Sequence, residues 1–354
     1  MPGQTVSWRV PAGAAAALAL AGALAGCAAA GATESLVSPD TTIEMIAESQ
    51  GSAFSLSMEC GAAQEARKLG ISLVTVAPQQ FTVAQQRPLV QGVIVGNPDA
   101  LIISPASSAS LHQAVAAGAS LSQDLYVVQE NDTKVIFADT SIDDNTLGAS
   151  RVTSDNTAGG RAAADSLGRL LGGTGSVAVL TAPDGGSPAG TRIRAFRDEM
   201  ASRYPGITVL GTQDDAAGSA ADAASLVAGD IKAHHDLAGV LAMTQDAARG
   251  AESAIAQAGM TGRVKLGTFD AGPFQMTGLL TGAIALTVAQ DPAAEGADAV
   301  DQAVSAVAGT KVQAHVYTPM IAITRQNMNA AAVKPYIYDG TCVQSLRGYM
   351  TSGS

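Results

Sequence analysis

Short apolar runs alternate along this chain with longer stretches in which apolar side chains return every three or four positions. A period near 3.6 marks helices packed by one face, and short runs rich in β-branched residues mark buried strands. Residues 42–47 read as a first strand and residues 71–76 as a second. Between them lies a helix over 54–69, in which Phe54, Met58, Ala62, Ala66 and Leu69 share a face. A helix over 83–95 follows, with a kink or restart expected at Pro88, because proline lacks the N–H that an interior helical residue donates. A proline-bounded strand over 97–105, a helix over 109–121 and a β-prone run at 135–139 complete the first series.

The polar stretch VTSDNTAGG at 152–160 then separates two halves of similar grammar. After it come a helix over 157–171, capped by Asp155 or Asn156, and a strand over 176–180. The alternation continues with a helix over 191–204, a strand over 207–210, a helix over 220–233, a strand over 238–243, a helix over 247–258, a strand over 264–269 and a helix over 273–280. A further strand, 283–290, runs into Asp291-Pro292, an N-cap and a first-turn proline for a helix over 293–308. The last strand-like stretch, 315–324, is interrupted at Pro319. This order predicts α/β architecture, with parallel sheets covered by helices on both faces. Residues 152–160 form a candidate crossover between two such units, with Gln290 and Pro319 as candidate second and third crossovers. Polar side chains there would face an interdomain cleft, where ligand sites of open α/β sheets tend to lie. The stretch 327–354 has no strong period and is expected to wrap the surface.

The 354 residues suffice for two cores, and 47% apolar with 14% charged residues fits a globular chain. A net charge of −11, without clustered Lys and Arg, excludes a nucleic-acid partner, since such binding depends on neutralising phosphates. The N-terminus reads as a targeting segment: Arg9, then an Ala/Leu run over 12–25 that falls short of the ~20 residues needed to span a bilayer. It ends in LAGC at 24–27, which resembles the lipobox of bacterial lipoproteins and marks Cys27 for lipidation; the alternative is a plain signal peptide with an incidental cysteine. With Cys27 set aside, Cys60 and Cys342 either pair as a disulfide outside the cytoplasm or remain a buried thiol and an exposed one. Neither has a CxxC partner or a nearby His, so no metal site is expected, and no cofactor motif appears. The GGTG at 172–175 precedes a strand, where a dinucleotide loop would follow one, and reads as a turn. His112, His234, His235 and His315 read as surface or structural residues. There is no GxSxG, HExxH or Walker sequence, and no enzyme is expected.

Five motifs in order carry a resemblance: NPDALIISP at 97–105, TSDN at 153–156, RIRAF at 192–196, GTFD at 267–270 and VAQDP at 288–292. Over about residues 42–328 the chain resembles the sugar-binding lipoproteins of ABC importers of the ribose/galactose-binding type, which share their core with lac-repressor-like regulators. The resemblance implies two Rossmann-like, doubly wound domains joined by a three-strand hinge, the type I periplasmic binding protein fold. The corresponding division is a signal peptide over 1–26, a tether over 27–41, one lobe from 42–153 plus 291–318, a second from 154–290 plus 319–328, and a tail over 329–354. It further implies a lipid-anchored, extracytoplasmic monomer that closes on a small neutral sugar or polyol and delivers it to an ABC permease. A sensory receptor for a sugar-like or furanone ligand is the alternative; a lac-repressor-type regulator would need a DNA-binding helix pair where the leader stands, and a secreted hydrolase would need catalytic residues.

A polyol site needs carboxylates to accept hydroxyl protons, amides to accept and donate, an Arg to donate, and an aromatic face for the C–H side of the ring. Carried over by the resemblance, Asp139, Ser154, Asn156, Arg192, Thr244, Asp270 and Gln290 are the expected polar ligand contacts, with Phe54 as the stacking ring. Read from the residues alone, the alternatives are that Asp139 caps its turn, Asn156 its helix and Asp270 the helix at Pro273, and that Arg192 pairs with Asp198 or Glu199. Ribose binders carry NNPFF where this chain has GSAFS at 51–55, and an Asp-Arg pair where it has Asp139-Thr140. The only Trp is Trp8, in the leader.

Overall fold

The computed structural model describes residues 36–38, 40–108, 121–181, 187–214 and 219–338. The first series forms β1 (Thr42–Ile46), α1 (Ala53–Leu69), β2 (Ser72–Val76), α2 (Val83–Gly96), β3 (Ala100–Ile103), α3 (Leu121–Glu130), β4 (Lys134–Ala138) and β5 (Ser150–Ser154). The second forms α4 (Asn156–Leu170), β6 (Gly175–Thr181), α5 (Ser187–Arg203), β7 (Ile207–Asp214), α6 (Ala220–Ala233), β8 (Leu237–Ala242), α7 (Gln245–Gln257), β9 (Lys265–Phe269), α8 (Pro273–Thr281) and β10 (Leu286–Ala289). The last described elements are α9 (Pro292–Val307), β11 (His315–Thr318), β12 (Ile321–Ile323) and a 3-10 helix, Ala331–Tyr336.

Two six-stranded sheets result, in the orders β11-β5-β4-β3-β1-β2 and β12-β10-β9-β8-β6-β7. All pairings are parallel except β10 with β12. Central strands such as β3 and β10 are buried along their whole length, as expected when helices cover both faces, and β2 at an edge alternates. Helices begin where short polar side chains accept from the first-turn N–H groups: Ser52, Thr82, Asp155, Ser219, Thr244 and Asp291.

The chain passes between the sheets three times, after Ser154, after Gln290 and at Pro319-Met320. α9 crosses back to pack along α1 and the first sheet, and α4 packs along α5. Glycine permits both contacts. A Cβ on Gly61 would stand 1.8 Å from the Ala293 carbonyl oxygen, and one on Gly160 would stand 2.3 Å from that of Arg192. The second contact brings the start of α4 against the residue that anchors the cleft.

Four expectations are corrected. α2 runs through Pro88 as one helix. The crossover stretch opens as a strand, β5, paired on both sides, before its helix starts. α3 was not anticipated, although Leu121, Leu125 and Val128 recur at helical spacing on its buried side. The described part of the stretch after 327 does not simply wrap the surface, because it contains the 3-10 helix with buried Val333 and the buried Tyr338. The expected helix over 109–121 falls, apart from Leu121, outside the described residues, as do Cys27, Cys342, His112 and the leader. Cys60 is disulfide-bonded, which removes the free-thiol alternative.

Candidate functional site

Strands β4 and β9 occupy corresponding places in the two sheets, and each is followed directly by an aspartate. Asp139 has φ 60° and Asp270 φ 71°, left-handed conformations that aspartate tolerates better than most residues. The Asp139 N–H donates to the Val152 carbonyl at 2.8 Å and the Asp270 N–H to that of Val288 at 2.9 Å, each on the strand that precedes a crossover. Backbone geometry thus turns both carboxylates out of their sheets. Both line one cavity of about 690 Å³, together with Glu48, Phe54, Arg192, Thr244, Gln290 and Tyr338. A smaller cavity of about 310 Å³ on the crossover side shares Asp139 and is lined by Ser154, Asn156 and Tyr317.

A hydrogen-bonded relay runs along the second-lobe wall. Arg192 donates through Nε to Asn156 Oδ1 and through an η nitrogen to Gln290 Oε1, both at 2.7 Å, and its guanidinium lies 5.0 Å from the centre of the Phe269 ring. Gln290 Nε2 donates to Asp270 Oδ1 at 2.9 Å. The Tyr338 hydroxyl donates to the same oxygen at 2.9 Å. The amide of Gln290 therefore links guanidinium to carboxylate without direct ion pairing, fixing both groups at the cleft.

The structure brings together Phe54, Asp139, Arg192, Thr244, Asp270 and Gln290 around the larger cavity, and Asn156 reaches it through Arg192. The alternative structural roles divide. Asp155, not Asn156, caps α4; Gly272, not Asp270, precedes α8; and Arg192 bonds neither Asp198 nor Glu199. Thr244 does cap α7, accepting from Ala247 N–H at 3.1 Å. Ser154 is drawn into the hinge: 1% exposed, its hydroxyl lies 3.1 Å from Gln290 Oε1 and donates to Glu295 Oε1.

Three residues were missed by sequence reasoning. Glu48 follows β1 by two residues, close to the strand-end place that Asp139 and Asp270 take after β4 and β9, so a polar residue just after a buried strand is the signal that finds it. Burial, the nearby Asp139 charge and a hydrogen bond to Asp139 push the Glu48 carboxyl well above its usual range. Asp139 is itself raised by burial, against the lowering influence of Arg192 and of the Glu48 hydrogen bond. The two acids line the same cavity, and burial disfavours the charged form of each. Glu295, on α9 and fully buried, is pushed up to about 8 by burial first and the Asp139 charge second. Its Oε2 is buried with no hydrogen-bond partner among the described residues, while Oε1 accepts from Ser154 and Thr318. Tyr338 gave no periodic signal at all.

A cleft between two lobes wound in the same order, crossed three times by the chain and walled by carboxylates, amides and one buried guanidinium, is that of a two-lobed solute-binding protein. The chain belongs to the periplasmic binding protein family, whose domain matches residues 43–311. It is 28% identical over 285 residues to the ribose import binding protein of Escherichia coli K12, covering 80% of this chain and 91% of that protein. The ribose import binding protein of Bacillus subtilis is 25% identical over 279 residues, covering 79% and 86%. Among solved structures, an ABC transporter solute-binding protein of Agrobacterium vitis with bound α-D-tagatopyranose superposes with a TM-score of 0.76 at 30% identity, covering 85% of this chain and all of that one. A carbohydrate transporter solute-binding protein of Agrobacterium radiobacter in complex with D-arabinose does so at 0.71 and 28%, covering 84% and 99%. These relatives are binding proteins, not enzymes.

Proposed function

We propose that this chain is the extracytoplasmic substrate-binding component of an ABC importer, capturing a small neutral sugar or polyol between its lobes and presenting it to a permease. The observation that carries this reading is the convergence of Asp139 with the Arg192–Gln290–Asp270 relay on a single cavity. Adjacent ligand hydroxyls would donate to the carboxylates and accept from Arg192, with Phe54 against the ring's C–H face. A hydrogen bond to a charged group contributes ~1.5–3 kcal/mol net, so a few suffice for micromolar affinity. Three crossovers make a hinge, and closure about it would exclude water from the bound ligand. Lipidation of Cys27 would hold the protein at the membrane beside its permease. No helix of the described residues is long and apolar enough to cross a membrane.

The test is a thermal-shift and calorimetric screen of pentoses, hexoses, polyols and furanones. A true ligand at 100 times its dissociation constant stabilises the protein by ~2.7 kcal/mol. A panel in which no sugar or polyol binds would sink the reading, and a furanone as sole binder would replace it with the sensory one.

A further inference from the structure

The family match ends at residue 311, yet a residue well beyond it stands in the cleft. After β12 the 3-10 helix Ala331–Tyr336 leads the chain back to the cavity. The Tyr338 N–H donates to the Ala271 carbonyl at 3.2 Å, on the segment just after β9. Its ring stands edge-on to Phe54 of α1, with centroids 5.7 Å apart and planes at 71°. One side chain is thereby bracketed by the helix start of one lobe and the strand end of the other, and it is 6% exposed.

The hydroxyl has a specific target. Gln290 Nε2 and the Tyr338 hydroxyl both donate to Asp270 Oδ1, which leaves Oδ2 without a partner among the described residues. A carboxylate with one oxygen doubly bonded and the other free is fixed in rotation, with one acceptor left for a ligand hydroxyl. Burial and the Asp270 charge hold the phenol well above its ordinary range, so it remains a donor across the physiological span. The position also answers the composition: α1 begins with one Phe followed by Ser55, and the chain after the leader contains no Trp.

We propose that Tyr338 is a ligand-binding and specificity-determining residue of the cleft, supplying an aromatic wall beside Phe54 and orienting Asp270 so that its free oxygen accepts from a hydroxyl of the bound sugar or polyol. The stretch after β12 is then part of the binding machinery and not an appendage. This assignment rests on the sugar-binding reading above.

The experiment uses the full chain, with Y338F and Y338A beside the parent, titrated calorimetrically with the sugars that the screen identifies. Y338F keeps the ring and loses the hydroxyl; affinity should fall by up to ~10-fold, because Asp270 Oδ2 is no longer held toward the ligand hydroxyl whose bond to it is worth that much. Y338A should lose at least that much again. Because the wall and the carboxylate orientation both choose among ligands, the rank order of sugars should change in Y338A, a readout that loss of stability alone does not produce. If Y338A fails to fold, Y338F decides by affinity. A parent that binds sugar with Y338F and Y338A equal to it in affinity and order overturns the assignment and leaves the function standing. A parent that binds no sugar overturns both.

Discussion

Asp139 and Asp270 close corresponding strands with the same left-handed backbone and the same N–H bond to a neighbouring strand, yet their carboxylates are held differently. Asp270 is held by two neutral donors, Gln290 and Tyr338, that pin one oxygen and free the other. Asp139 faces another acid, Glu48, and burial raises the carboxyl pKa of both. One lobe thus offers the ligand a rigid acceptor and the other a titratable pair. The protein backbone sets where a charge can stand; the neighbours decide whether it is fixed or exchangeable.

Substitution of the two aspartates should break this symmetry most visibly. D270A removes a ligand acceptor and strands both the Gln290 amide and the Tyr338 hydroxyl, so affinity should fall more than ~100-fold, two or more lost bonds to a charged group. D139N should cost less than ~10-fold, because Glu48 lines the same cavity and keeps a carboxyl oxygen there as an acceptor. Calorimetric titration of both variants decides it. Equal losses would show that the two ends are energetically alike.

A smaller effect should separate E48Q from the parent. Glutamine imitates the protonated acid, so near pH 6 the two should bind within ~3-fold, less than a typical hydrogen bond is worth. Upward pH titration should then weaken the parent as Glu48 ionises beside Asp139, and leave E48Q unaffected over the same range. Parallel pH profiles would mean that Glu48 carries no proton in the binding-competent state.

The smallest effect on binding is expected at Glu295, whose influence is on stability. Its carboxyl is raised from 4.5 to about 8, so between these values the folded protein holds a proton that the unfolded chain has lost. Stability must therefore fall as pH rises through that window. E295Q keeps the neutral form at every pH and should flatten this decline, with little change in affinity at pH 6. Denaturant unfolding of both proteins from pH 5 to 9 measures the difference. An unchanged slope would place the ionisation elsewhere.

Much of the fold is legible in the residues because each element buries its own apolar face, and that periodicity is local. Helix α3 was equally legible, with Leu121, Leu125 and Val128 at helical spacing, but was overlooked. The strand-end aspartates could be found because a polar residue directly after a buried strand has few places to go. Ser154 shows the limit of that logic, since its position is right but its hydroxyl is held by Glu295 inside the hinge.

The sequence by itself determined two series of strands and helices and the crossovers at 152–160, Gln290 and Pro319, and its resemblance to a known family supplied the carboxylates at Asp139 and Asp270. Only the tertiary structure decided that Gln290 links Arg192 to Asp270, that Glu48 joins Asp139 at one cavity, and that Tyr338 enters the cleft. The physical reason is distance along the chain. Arg192 and Gln290 are 98 residues apart, and Tyr338 and Asp270 are 68 apart. A periodic pattern records which face a residue buries; it holds no record of the distant side chain that will meet it there.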